Sequence, residues 1–193
     1  MYFRAFEDSD VDCIYRWMND DSLKNLSVGL NRRISREEAL IWVTTRKNHM
    51  PYEVWWAICS VENNEIIGYA SLNNIHYINS VAETGSIVIG DRNYGDGMAW
   101  IETVLFMFEY AFDRLNLNRL YGVSLVGHKM SNLMGDLMFM AKEGVLRQAV
   151  YKNGRYYDLL YSGILRSEYY LHKEQGDYQI KEIIRRLRKL RHG

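Results

Sequence analysis

A run of six residues, Arg92-Asn93-Tyr94-Gly95-Asp96-Gly97, carries the clearest chemistry in this chain. An apolar stretch ends just before it at Ile89-Gly90, and a long apolar periodicity begins just after it at Met98. A loop between a strand end and a helix start leaves the first-turn amides without helical acceptors. Those amides sit at the positive end of the helix dipole, so phosphate oxygens can satisfy them. Glycine at 95 and 97 lets the backbone approach a bulky anion, because no side chain stands between. Spacing alone leaves two readings open, a phosphate cradle or a glycine-rich turn before a core helix. The run is not a dinucleotide fingerprint, which needs a third glycine and a following acidic strand. Nor is it a P-loop, since no Gly-Lys-Ser/Thr follows. No His, Cys or Asp cluster has metal-ligand spacing, and no Ser-His-Asp or Cys-His arrangement stands out.

Periodicity supplies the elements that must hold this loop. Tyr2 to Glu7 alternates as a short first strand, and Val11, Ile14, Tyr15 and Met18 follow at helical spacing. Ser35-Arg36-Glu37-Glu38 is a capping box that opens a helix to about Lys47. Pro51 separates this helical half from an antiparallel meander, expected at Val54 to Val61, Ile66 to Ile75 and Ala82 to Ile89. Trp55 and Trp56 point to opposite faces of the first of these strands, so at least one of them belongs to the core. Met98, Ile101, Leu105, Phe108, Phe112 and Leu115 then form one apolar stripe on a long helix. Arg119 to Val126 reads as a strand, and Met130 to Ala141 as a short helix weakened by Gly135. Gly144 to Tyr151 and Tyr156 to Leu165 form a hairpin, with Asn153-Gly154 as its turn.

The whole chain has 193 residues, enough for one domain with a sizeable core and short for two. Formal net charge is zero, so no global field recruits nucleic acid or an anionic membrane. Cys13 and Cys59 read as reduced thiols of an intracellular protein. No secretory signal and no apolar run of membrane-spanning length occur, and the expected location is the cytoplasm. The C-terminal stretch pairs an apolar stripe, Ile180, Ile183, Ile184, Leu187 and Leu190, with a basic face of Lys181, Arg185, Arg186, Arg188, Lys189 and Arg191. Such a helix can dock on its own domain or a second copy in a homodimer, bind an acidic partner, or lie on a membrane surface; docking on protein is the favoured reading.

With its flanks, the loop resembles the Arg/Gln-x-x-Gly-x-Gly/Ala signature of the GNAT acetyltransferase superfamily. Asn74 to Glu83, Lys142 to Arg147 and Asn153 to Asp158 look like segments of the ribosomal-protein and diamine (spermidine) N-acetyltransferases. The likeness covers about Tyr2 to Tyr169, and divides the chain into a domain at 1–168 and a basic amphipathic helical extension at 169–193. It implies an α/β (α+β) fold, a mixed and mostly antiparallel sheet splayed between its fourth and fifth strands. Acetyl-CoA would be the co-substrate, lying in that gap. Ile87, Val88 and Ile89 would pair with pantetheine amides through their backbone, and Arg92, Asn93, Tyr94, Gly95, Asp96, Gly97 and Met98 would hold the pyrophosphate. His128 and Ser131 align with further CoA contacts, although a lone histidine is more often a local hydrogen-bond partner.

The implied reaction is direct attack of a primary amine on the thioester. Glu83 stands where many relatives carry a carboxylate base that takes the amine proton through water. The acceptor could be a polyamine, an amino sugar, an antibiotic or a protein N-terminus. Asp20, Asp21, Glu37 and Glu38 lie in the region that shapes the acceptor site in relatives, and read either as an acidic patch or as a solvated helix face. One element departs from the pattern. Relatives carry a tyrosine that protonates the leaving thiolate, and Gly135 occupies its place. Water, Tyr94 or the Tyr156-Tyr157 pair could substitute. The alternative is a catalytically weak or inactive CoA-binding module with a regulatory or interaction role.

Overall fold

Apolar alternation builds the centre of the molecule. A computed structural model describes residues 1–25, 28–29, 32–48 and 51–192, the side chains of 191 and 192 excepted. The Arg191 side chain of the expected basic face and Gly193 lie outside the described residues. The strands are β1 (Tyr2–Arg4), β2 (Val54–Cys59), β3 (Ile66–His76), β4 (Val81–Ile89), β5 (Arg119–Leu125), β6 (Ala141–Lys152) and β7 (Arg155–Leu165). The helices are α1 (Val11–Met18), α2 (Asp21–Lys24), α3 (Arg36–Lys47), α4 (Met98–Glu109), α5 (Lys129–Leu137), α6 (Arg166–Glu174) and α7 (Ile180–His192). Along β2, Trp56 and Ile58 enter one core, while Trp55, Ala57 and Cys59 enter or flank a second core on the other face. Each face needs a cover, and the helices divide accordingly. Val11, Ile14 and Trp17 of α1 and Ala39 and Val43 of α3 close one side; α4, α6 and α7 close the other.

The sheet runs β1-β2-β3-β4-β5-β7-β6, and the mostly antiparallel character implied by the resemblance holds. The exception is the parallel pair β4–β5, which spans only Val81–Thr84 against Arg119–Gly122. Beyond these rungs the two strands no longer pair with each other, while β4 runs on to Ile89 against β3 and β5 to Leu125 against β7. A bulge explains the divergence. Between Ala70–Ile87 and Leu72–Thr84 the β3–β4 register slips, and the Ser86 amide donates to Ser71 Oγ at 3.0 Å instead of to backbone. Bulging bends β4 away from β5 and opens a gap between them.

Several expected elements stand, with shifted ends. The Ser35–Glu38 box forms in both directions, with Ser35 Oγ accepting from the Glu38 amide at 3.1 Å and Glu38 Oε2 accepting from the Ser35 amide at 2.8 Å. Asn153 (φ 51°) and Gly154 (φ 79°) take the left-handed backbone that a two-residue hairpin turn demands. The first strand stops at Arg4, short of Glu7. The helix expected to Ala141 ends at Leu137, because Phe139 turns the chain at φ 60° into β6. The single stripe expected on α4 is too narrow. Ala99, Ile101, Thr103, Val104, Met107 and Phe108 are buried, whereas Met98 and Leu105 are only partly covered. The helix finishes in a wider π turn at Tyr110–Arg114, closed by the Leu115 amide on Tyr110 O at 2.9 Å.

The basic C-terminal helix docks on its own domain. Ile183 is fully buried, and Ile180 and Leu187 pack beside it. Arg186 donates to Leu137 O at 3.2 Å and lies 4.5 Å over the Phe139 ring. No helix among the described residues is long and apolar enough to cross a membrane. Ile183→Ala should therefore lower unfolding free energy by about 2–5 kcal/mol. Leu190, 52% exposed, should change it by no more than roughly 0.5 kcal/mol when cut to alanine. Urea melts of both variants check this, and equal midpoints would contradict the docking.

Candidate active site

Strands β4 and β5 are parallel, so both end on the same side of the sheet, and α4 and α5 start from those ends. Two helix N-termini therefore face the gap with their partial positive charge. The gap widens into a cavity of about 750 Å³. Glu83, Ile87, Val88, Ile89, Tyr94, Gly95, Gly97, His128 and Ser131 line it together, drawn from three separate stretches of chain. Arg92, Asn93, Asp96 and Met98 lie outside the lining, at the loop's outer edge.

The β4 wall presents backbone. The Gly90 amide donates to Ile67 O at 2.9 Å, toward β3. Strand alternation then turns the amides and carbonyls of Ile87 and Ile89 the other way, into the gap where β5 has departed. Their side chains pack beside the α4 core, and that of Val88 beside the opposite core. The groups facing the gap are consequently main-chain donors and acceptors, the complement of a ligand rich in amides.

The loop supplies a cradle, narrower than its sequence suggests. Gly97 caps α4 at φ 95°, and no atom lies within 4 Å of where a Cβ would stand. The amides of Asp96, Gly97, Ala99 and Trp100 have no hydrogen-bond partner among the described residues. Two other amides are already used. Asp91 Oδ1 accepts from Asn93 at 2.9 Å, and Asp96 Oδ1 accepts from Met98 at 2.9 Å. Arg92 reaches Asp20 at 3.4 Å, which ties the loop to the α1–α2 corner. Free amides, a glycine with open space above it and two helix ends fit a pyrophosphate; the β4 wall fits the amides of a pantetheine arm.

Opposite, α5 turns one face to the cavity through His128, Ser131, Asn132 and Gly135. His128 caps the helix, its Nδ1 accepting from the Ser131 amide at 3.1 Å. Burial lowers the His128 pKa, in keeping with a neutral ring that accepts there. Gly135 has nothing within 4 Å of a Cβ position, so the place of the missing tyrosine is open space. The hydroxyls that could replace it are engaged elsewhere. Tyr94 donates to Ser60 Oγ at 2.8 Å, Tyr156 is 62% exposed, and neither it nor Tyr157 lines the cavity.

Glu83 lies on the face of β4 toward α1 and α3. Asn74 Nδ2 donates to its Oε2 at 2.7 Å, and the Tyr121 hydroxyl stands 3.5 Å from the same oxygen. Burial, and then the Glu83 charge, raise the Tyr121 pKa, so the phenol stays protonated. Asn74 reaches Glu83 because it sits at φ 50° where the β3–β4 register slips again. Sequence reading missed Asn73, Asn74 and Tyr121 as site residues. A signal existed: two consecutive asparagines, poor strand formers, inside the apolar run Ile66–Ile75. The acidic residues Asp20, Asp21, Glu37 and Glu38 do not line the cavity; Asp20 faces Arg92, Asp21 faces Lys24 and Arg33, and Glu38 faces Arg32.

Known proteins share this arrangement. Residues 1–133 match the family model described as acetyltransferase (GNAT) domain. A Bacillus licheniformis protein named uncharacterized N-acetyltransferase p20 is 30% identical over 164 residues, 84% of this chain and 90% of that protein. Spermidine N(1)-acetyltransferase of Vibrio cholerae is 33% identical over 168 residues, 86% of this chain and 93% of that protein. A crystal structure of spermidine N-acetyltransferase from Vibrio cholerae in complex with CoA and spermine matches with a TM-score of 0.77 at 25% identity, covering 88% of this chain and 97% of that one. The chain belongs to the GNAT acetyltransferase family and is an N-acetyltransferase, taking acetyl groups from acetyl-CoA to an amine.

Proposed function

We propose that transfer occurs in the gap between β4 and β5, with Glu83 as the base that frees the amine. One observation carries this reading: Glu83, the β4 backbone and the glycine loop line a single cavity. Acetyl-CoA brings an activated thioester carbonyl. The free amides of Gly97 and Trp100, both on the cavity lining, hold the pyrophosphate, and the Ile87 and Ile89 backbone holds the pantetheine arm. The acceptor enters from the α1–α2 side, where Glu83 is exposed to the cavity. An ammonium cannot attack, so Glu83 takes its proton directly or through one water. Asn74 and Tyr121 orient the carboxylate for that role. His128 positions the first turn of α5 through the Ser131 amide.

The leaving thiolate takes its proton from water in the space over Gly135. A thiol of pKa about 8.5 makes this tolerable without a dedicated acid. Gly135→Tyr should then place a hydroxyl in that space and raise kcat about tenfold, below the roughly hundredfold or more of an evolved general acid because the new phenol has no partners to hold it. Steady-state kinetics check it; an unchanged kcat with an intact fold would mean that thiolate protonation does not limit turnover. Calorimetric titration with acetyl-CoA tests the cradle directly. One site per chain is expected, and absence of binding would remove the reading altogether.

A further inference from the structure

One side chain orders the middle of the glycine loop. The entry to the loop is fixed by backbone: the Gly90 and Asp91 amides both donate to Ile67 O, at 2.9 and 3.0 Å. Its exit is fixed by α4, where the Ile101 amide donates to Gly97 O at 3.1 Å. Between them runs a short 3-10 turn, Arg92–Tyr94. From Arg92 to Asp96 every residue except Tyr94 is exposed. The Arg92–Asp20 pair holds this stretch weakly, because the arginine side chain is 84% exposed and water screens the contact.

Tyr94 turns inward instead. Its ring packs beside the α4 core, and its hydroxyl donates to Ser60 Oγ at 2.8 Å. Ser60 stands just past the end of β2, is 2% exposed, and is itself held on every side. Its amide donates to Glu65 O at 2.9 Å, and its carbonyl accepts from the Asn64 amide at 3.1 Å. Its Oγ also accepts from the Glu62 amide at 3.2 Å. The phenol is therefore a strut from the exposed loop to a fixed post in the β2–β3 turn. The free amides of Gly97 and Trp100 begin just beyond it, on the cavity lining. A loop that must be ordered when the ligand arrives gives up part of the binding free energy, and a loop ordered beforehand keeps it.

We propose that Tyr94 is a positioning residue: through Ser60 it holds the glycine loop in the form that binds the pyrophosphate of acetyl-CoA. The proposal rests on the loop being the pyrophosphate cradle. It also separates two uses of the phenol. An acid for the leaving thiolate would face the thioester, whereas this hydroxyl is spent on a buried serine of another strand end.

The test compares two acetyl donors with the full chain, acetyl-CoA and S-acetyl-pantetheine, which has the same thioester and arm without the pyrophosphate. Wild-type protein should show the lower KM for acetyl-CoA. Tyr94→Phe keeps the ring and removes the hydroxyl, so the acetyl-CoA KM should rise about fivefold, the weight of one hydrogen bond, with kcat within about twofold. The acetyl-pantetheine KM should stay within about twofold, because that donor does not reach the loop amides. Ser60→Ala should give the same split, and Tyr94→Phe added to it should cost less than about a further twofold, since one contact is lost only once. Three results would each overturn the proposal while leaving the cradle in place: an unchanged acetyl-CoA KM in Tyr94→Phe, an equal rise with both donors, or a full further rise in the double variant. A fall in kcat with KM unchanged would also overturn it, and would return the phenol to the chemistry. Wild-type protein that used both donors with the same KM would overturn the proposal and the cradle together.

Discussion

Gly97→Trp should lower acetyl-CoA affinity about a hundredfold or more, which corresponds to roughly 2.7 kcal/mol of lost binding. Two effects combine at this position. Gly97 sits at φ 95°, a backbone region that costs an L-residue about 1–2 kcal/mol, so the cap itself shifts. The new side chain also projects into space that is empty to at least 4 Å, which is the space the pyrophosphate needs. Because nothing in the core touches that space, the fold should survive. Far-UV dichroism and calorimetry on the same sample separate the two outcomes. A folded variant that keeps wild-type affinity would show that the cradle lies elsewhere.

Glu83→Gln is expected to reduce kcat about a hundredfold, the lower range for loss of a general base. The change preserves shape: a glutamine oxygen can still accept from Asn74 Nδ2, now 2.7 Å from Glu83 Oε2. What disappears is the capacity to take a proton. Acetyl-CoA affinity should stay unchanged, since Glu83 lies on the acceptor side of the gap, away from the loop amides. A variant with full kcat would remove Glu83 from the chemistry and leave it as a recognition group. A rise in amine KM alone would point to the same conclusion.

What the sequence revealed depended on whether the cause was local. The Asn153-Gly154 turn and the Ser35–Glu38 box are decided by a few neighbouring residues, and both form as their chemistry requires. The glycine loop was legible only together with its flanks, which carry the resemblance, because its spacing alone fits a glycine-rich turn before a core helix equally well. Features that depend on two strands meeting were not legible. The β4 bulge at Ser86 exists only against Ser71, and Asn74 reaches Glu83 only through a register slip in β3–β4. In the same way, the sequence left the carboxylates at Asp20, Asp21 and Glu38 open between an acidic patch and a solvated face, and only their arginine and lysine partners, brought close by the fold, show them engaged away from the cavity. Asp96 is the opposite case, a loop residue whose carboxylate already occupies the Met98 amide that a phosphate could have used.

Amine-dependent release of CoA thiol is the measurement that bears most directly on the account. With acetyl-CoA saturating and a primary amine added, one thiol should appear for each acetylated amine, and release should fall about a hundredfold in Glu83→Gln. Tight binding of acetyl-CoA without any amine-dependent release would contradict it, and would leave this cavity a site that holds the co-substrate and does not use it.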